Sequence, residues 1–361
     1  MEKKYQRSSN RGRSGASTVL KGLPTGQTPS ALVKSDAIVT RHNTSPSSVH
    51  SSSSPDFEFR EQYKDVSSND YNYIMDHLES GEYRKTWNKL TFFPGLRRLM
   101  VSSPFAHESV LNDIIGRLHR TLATIPVPEC KLVWRTLANT SIEGASINAT
   151  PDLTIDVRYH VWVMESAFVQ SDGDVMQKLQ AYVRDIPDLL VVGKILIKQA
   201  NQYRSPGAKG TIAQHLRSSA LMTQETWTSN GSGEDEFGRV VVDDHVWFSL
   251  SSVEIHLWVR QPGNSKINLD CSDGDGYAVG TLYPSVDLDN VDKVFRRGVN
   301  LVKEAIFQEL KNAGEGEQLL DDVERWSPPP VFLIPDVLRD VLLFGAWSTG
   351  YSRHTQWYKD H

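Results

Sequence analysis

The stretch "TPDLTIDVRYHVWVMESAFVQSDGDVMQKLQAY", residues 150–182, carries two strand-like runs followed by a helix-like run. In the first run Leu153, Ile155 and Val157 alternate with Asp152, Thr154, Asp156 and Arg158. Alternation sends the two sets to opposite faces of a sheet. In the second run Val161, Val163, Glu165 and Ala167 share one face, and Trp162, Met164, Ser166 and Phe168 share the other. The runs are adjacent, which predicts an antiparallel hairpin. A turn centred on Tyr159-His160 sets Arg158 opposite Val161 and Asp152 opposite Ala167. Glu165 is then the diagonal neighbour of Asp152, with Cα atoms roughly 7–8 Å apart. A one-residue slip would separate the two carboxylates onto opposite faces.

Glu165 sits between Val163 and Ala167, in a run where an unpaired carboxylate is rarely buried. It needs either a shared cation with Asp152 or an ion pair with Arg158, Lys178 or Arg135. The helix that follows opens on Ser171 with Asp174, a capping-box spacing with Asp in place of Glu. Val175, Met176, Leu179, Tyr182 and Val183 form its apolar stripe. Lys178 lies beside that stripe, so its stem is expected to run along the core and its ammonium to reach the sheet's edge. Two carboxylates are suited to Mg²⁺, the metal to polarising a phosphoryl oxygen and activating water, and a nearby Lys to stabilising charge.

Working outward, Val110, Leu111, Ile114, Ile115, Leu118 and Leu122 recur at helical spacing across residues 107–125. "CKLVWRTLA" reads as a strand and "DLLVVGKILI" as a buried strand. The order is helix, strand, strand, strand, helix, strand, which predicts an α/β fold with a mixed sheet flanked by helices. Upstream, "NDYNYIMDHLES" has helical spacing. Downstream, "FGRVVVDDHVWFSLSSVEIHLWVRQPG" predicts two strands and "DGYAVGTLYP" another. Residues 288–314 predict a long amphipathic helix ending at a Gly cap. After the Pro break, "FGAWSTGYSRHTQWYKDH" reads as core packing with a frayed end.

This element order and the residues Pro151-Asp152 and Glu165-Ser166-Ala167 resemble the PD-(D/E)XK nuclease superfamily, whose fold is that of restriction endonucleases. The resemblance covers about residues 105–200 and implies a restriction-endonuclease-like core with an α+β C-terminal elaboration. It implies that Asp152 and Glu165 hold the metal. The family's Lys, two residues after the Glu, is Ala167 here. The run "ESAFVQSDGDVMQKLQAY" is similar to family variants that carry this Lys on the following helix, which points to Lys178. Gln170 would also enter the site. Glu108 or Glu143 would supply a further acidic residue.

Composition bounds the alternatives. Of 361 residues, 39% are hydrophobic and 23% charged. Residues 1–55 hold eight Lys/Arg and two Asp/Glu, so they carry about +6; the net charge of −5 leaves about −11 on the remainder. Ser-rich segments such as "TSPSSVHSSSSP" predict a disordered basic tail over residues 1–60. Residues 61–104 are expected to be a helical lead-in, 105–200 the nuclease-like core, and 201–361 strands and a long helix extending the same domain. The acidic body argues against a large sequence-independent DNA-binding face. Two cysteines make no disulfide framework, and eleven scattered His lack zinc-ligand spacing. No apolar run is long enough to span a membrane, and no signal peptide is expected, so the chain is read as intracellular, cytoplasmic or nuclear.

"NQYRSPGAKGT" is a basic loop suited to lying near substrate phosphates or simply on the surface; it does not match a P-loop. "DCSDGDGYAVG" lacks the closing Glu of a calcium loop, and no Gly-x-Ser-x-Gly elbow occurs. The expectation is Mg²⁺-dependent hydrolysis of DNA phosphodiesters by Asp152, Glu165, Lys178 and Gln170, with a homodimer compatible with the sequence. The alternative is a catalytically inactive nuclease-fold protein acting as an interaction or structural module.

Overall fold

The computed structural model describes residues 60–79, 89–102, 108–128, 131, 133–168, 171–201, 203–230, 238–272 and 274–360. The predicted tail at 1–60 lies almost wholly outside them. In chain order the elements begin β1 (Arg60–Tyr63), α1 (Ser68–Glu79), β2 (Lys89–Phe93), β3 (Arg98–Ser102) and α2 (Glu108–Leu122). Next come β4 (Arg135–Ala138), β5 (Ile142–Glu143), β6 (Asn148–Ala149), β7 (Leu153–Val157), β8 (Tyr159–Ala167), α3 (Asp172–Asp185) and β9 (Val191–Gln199). The C-terminal half holds α4 (Thr211–Ser218), α5 (Gln224–Asn230), β10 (Arg239–Val242), β11 (His245–Val259), β12 (Tyr277–Tyr283), α6 (Asp289–Asn312), α7 (Glu317–Arg325) and α8 (Pro335–Asp360).

A seven-stranded sheet organises the molecule in the order β10-β11-β9-β8-β7-β4, with β12 sharing the β10 edge of β11. The β4–β7 and β7–β8 pairings are antiparallel. The crossover through α3 then returns the chain parallel to β8 as β9. The fold is thus mixed α/β, with a mixed sheet flanked by helices. The strands β10, β11 and β12 extend this same sheet.

One face of the sheet packs against α2, α6 and α8 through Leu153, Ile155, Trp162, Met164, Ile195 and Ile255. Gly298 lets α6 approach closely, since a Cβ there would lie 2.9 Å from the Trp162 ring. The other face is covered by α3 and by residues of a second, five-stranded sheet ordered β1-β3-β2-β6-β5. Val163, Ala167, Val192 and Leu196 meet Val175, Leu179 and Tyr182 of α3 there, with Phe93, Ile142 and Ile147.

Three expectations are corrected. The lead-in at 61–104 is not only helical: besides α1 it carries β1, β2 and β3. These strands have four or five residues each, too few for alternation to stand out from a helix. The hairpin turn lies earlier than predicted, centred on Arg158 rather than on Tyr159-His160. Arg158 takes a left-handed φ of 61° and Val157 pairs with Tyr159. A β-bulge follows, leaving Val161 as the extra residue between Asp156↔His160 and Ile155↔Trp162. Val161 accordingly joins the core on the Trp162 face. Finally, the chain's last segment is no frayed end. It is helical through Asp360, anchored by buried His354 and Trp357.

Candidate active site

Beyond the bulge, β7 and β8 pair Leu153 with Met164 and Thr154 with Val163. Asp152 precedes the first paired residue, Leu153, and its carboxylate reaches the amide of Ser166, the residue after Glu165. The shift from the predicted register is two residues, so the face parity of β7 and β8 is kept. The parallel partner of Glu165 on β9 is Lys194, and the partner of Lys194 on β11 is His256. Glu165, Lys194 and His256 therefore form a polar row across β8, β9 and β11. It runs through an apolar face and lies beneath α3.

Asp152 and Glu165 are 3% and 2% exposed. The Ser166 amide donates to Asp152 Oδ2 at 2.6 Å. Glu165 is bound from α3: the Tyr182 hydroxyl donates to its Oε1 at 2.7 Å, and Lys178 Nζ donates to its Oε2 at 3.3 Å. Lys178 is 1% exposed. Its ammonium thus turns into the sheet rather than to the edge, because the buried Glu165 carboxylate, shared with Tyr182 one turn on, offers the stronger partner. Burial and the neighbouring Glu165 carboxylate hold the Tyr182 hydroxyl well above its ordinary pKa, so it remains a donor.

The Ser171–Asp174 start of α3 fixes this geometry. Ser171 Oγ accepts from the Asp174 amide at 3.2 Å. Asp172, in the first turn, takes a hydrogen bond from Lys194 Nζ, whose ammonium also lies 5.5 Å from the Trp258 ring centroid. Asp172 is more than half exposed, so the polar row meets solvent at the N-terminus of α3. At its far end His256 Nδ1 lies 2.8 Å from the Tyr277 hydroxyl and Nε2 lies 3.3 Å from Glu254. Burial lowers the His256 pKa and Lys194 adds to it, against an opposing pull from Glu254.

The structure brings Glu165 and Lys178 together and sets the Asp152 carboxylate on the Ser166 amide, one residue along from Glu165. Gln170 lies outside the described residues. Glu108 is not recruited: α2 packs on the opposite face of the sheet. Glu143 is not recruited either, being exposed on β5 and acting on the Tyr71 hydroxyl instead. Of the other expected partners for Glu165, Arg158 pairs with Glu309 and Arg135 lies at the sheet edge. Sequence reasoning missed Lys194 and His256. The signal for Lys194 was present, since one charge inside the apolar run "VVGKILI" demands a partner.

Among the described residues no group of three or more His, Cys, Asp or Glu is positioned to hold a metal. Mg²⁺, however, commonly takes only one or two protein carboxylates and completes its octahedron with water and phosphate oxygens. Here both Glu165 oxygens accept hydrogen bonds, from Tyr182 and Lys178, and Asp152 Oδ2 accepts from the Ser166 amide. Comparison with protein-family models, with curated proteins and with solved structures finds no match.

Proposed function

We propose that this chain is a divergent restriction-endonuclease-like protein that hydrolyses DNA phosphodiester bonds with Mg²⁺. The observation that carries the reading is the buried Glu165 carboxylate bound by Lys178, with the buried Asp152 carboxylate held on the amide of the next residue, Ser166. The helix, three antiparallel strands, crossover helix and parallel strand of residues 108–199 support the same fold. Asp152 and Glu165 would hold Mg²⁺, which supplies Lewis acidity to a bound phosphate. Lys178 and Lys194 flank Glu165 and provide the positive charge that the family's own Lys supplies where Ala167 stands here. Tyr182 orients the Glu165 carboxylate.

The test is plasmid cleavage in Mg²⁺, comparing wild type with Asp152→Asn, whose amide oxygen still accepts the Ser166 N–H. The expected outcome is loss of cleavage by about 10²-fold or more. Equal rates in both proteins, or no cleavage by wild type, defeat the reading.

A second reading is a catalytically inactive nuclease-fold module. The burial of Asp152, Glu165 and Lys178, none above 3% exposed, favours it, because an enclosed ion pair also serves as a structural pin. It predicts a wild-type protein without nuclease activity whose stability depends on the pair.

A further inference from the structure

A cleft of about 760 Å³ lies at the end of the large sheet. It is bounded by Gln199 at the close of β9, by Ala200, Asn201, Tyr203 and Arg204 after it, by the β10–β11 edge and by α8. Its volume is in the range of roughly 300–1,000 Å³ typical of small-molecule sites. Among the described residues three arginines line it, Arg204, Arg239 and Arg353, against one carboxylate, Asp244. That local excess of positive charge stands in a body carrying about −11.

One wall is held rigidly. The Arg353 guanidinium lies 4.4 Å from the Tyr203 ring centroid and 5.3 Å from that of Phe248. It donates to the Trp247 carbonyl at 2.7 Å and to Gln199 Oε1 at 3.0 Å. Burial lowers its pKa to about 9, so it still carries its charge at neutral pH. Arg204 and Arg239 are exposed and reach the cleft from the loop and from β10. Guanidinium groups match phosphate oxygens in bidentate geometry, and aromatic and guanidinium planes stack on nucleobases.

We propose that this cleft binds a nucleotide, with its phosphate held by Arg204 and Arg239 and its base packed against the Arg353–Tyr203–Phe248 wall. The assignment is independent of the nuclease reading. The cleft shares no residue with Asp152 or the Glu165–Lys194–His256 row, and Phe248 belongs to the core on the opposite face of the sheet. The nucleotide is either free or one unit of a single strand.

Calorimetry with deoxyadenosine monophosphate, deoxyadenosine and inorganic phosphate tests the proposal. The monophosphate should bind at least about tenfold more tightly than either fragment. The double variant Arg204→Glu/Arg239→Glu should weaken it by about tenfold or more while leaving the thermal midpoint unchanged. A labelled oligothymidylate separates the sources. If the monophosphate competes with it for one site, a strand is the ligand; if only the monophosphate binds, a free nucleotide is. Both outcomes support the cleft. Binding of neither, equal affinity for deoxyadenosine, or an affinity untouched by the charge reversal overturns the proposal.

Discussion

At the scale of single residues, the Glu165–Lys178–Tyr182 cluster concentrates the molecule's electrostatic risk. All three side chains are at most 2% exposed, so each charge depends on the other for solvation. Glu165→Gln should destabilise the protein by about 3–5 kcal/mol, because the Lys178 ammonium is left buried without its counter-charge. Lys178→Met should cost a similar amount for the converse reason. The double variant Glu165→Gln/Lys178→Met should recover most of the loss, since removing both charges also removes the desolvation penalty. Denaturant unfolding of the four proteins measures the coupling; additive single effects would show that the pair does not interact. Asp152 and Glu165 were readable as candidates because carboxylates in apolar strands need partners. Lys194 was overlooked because long apolar runs direct attention to packing rather than to the single charge inside them.

At the scale of elements, the cap of α3 sets where Lys178 and Asp172 fall. Ser171→Ala removes the acceptor for the Asp174 amide and should lower stability by about 0.5–2 kcal/mol. Ser171→Asp should retain most of it. Thermal melts of the two variants check this, and equal melts would place the start of α3 under tertiary control alone. The order α2, β4, β7, β8, α3, β9 was legible from periodicity. The tiny strands β5 and β6 between β4 and β7 were not, since two residues carry no period. The β7–β8 bulge was also invisible: an extra residue such as Val161 fits either face of an apolar run. Its effect was to return one of the three residues by which the earlier turn shifts the pairing, so the net shift is two and the face parity of β7 and β8 is kept.

At the scale of the whole molecule, three histidines in different parts of the fold report on burial. Burial lowers the pKa of His245, His256 and His354. His354 is fully buried, with its ring 4.9 Å from that of Trp227, 5.0 Å from Trp247 and 5.0 Å from Tyr358. Neither of its ring nitrogens has a hydrogen-bond partner among the described residues. For a base whose folded pKa is depressed, the unfolded chain binds more protons below its own pKa, about 6.5. Stability is therefore full above about pH 6.5 and falls as the pH drops from there toward the folded pKa values. Melts from neutral to acidic pH should show that loss, and His354→Phe should flatten the slope while keeping the packing. An unchanged slope would show that His354 does not contribute to it. The docking of α6 is a second whole-molecule constraint: Gly298→Val would drive a side chain into Trp162 and Val191 and should cost about 1–3 kcal/mol.

Periodicity, composition and the isolated carboxylates determined the α/β class, the helix and strand order of residues 108–199, and the candidacy of Asp152, Glu165 and Lys178. These are local properties, carried by side-chain spacing along one segment. Tertiary structure alone decided that Lys194 and His256 join the same row, that Glu108 lies on the wrong face, and that distant arginines from a loop, a strand and the last helix line one cleft. Each of those relations depends on strand register and on which face a helix covers. Both are set by packing between segments far apart in the chain, and neither leaves a mark in local spacing.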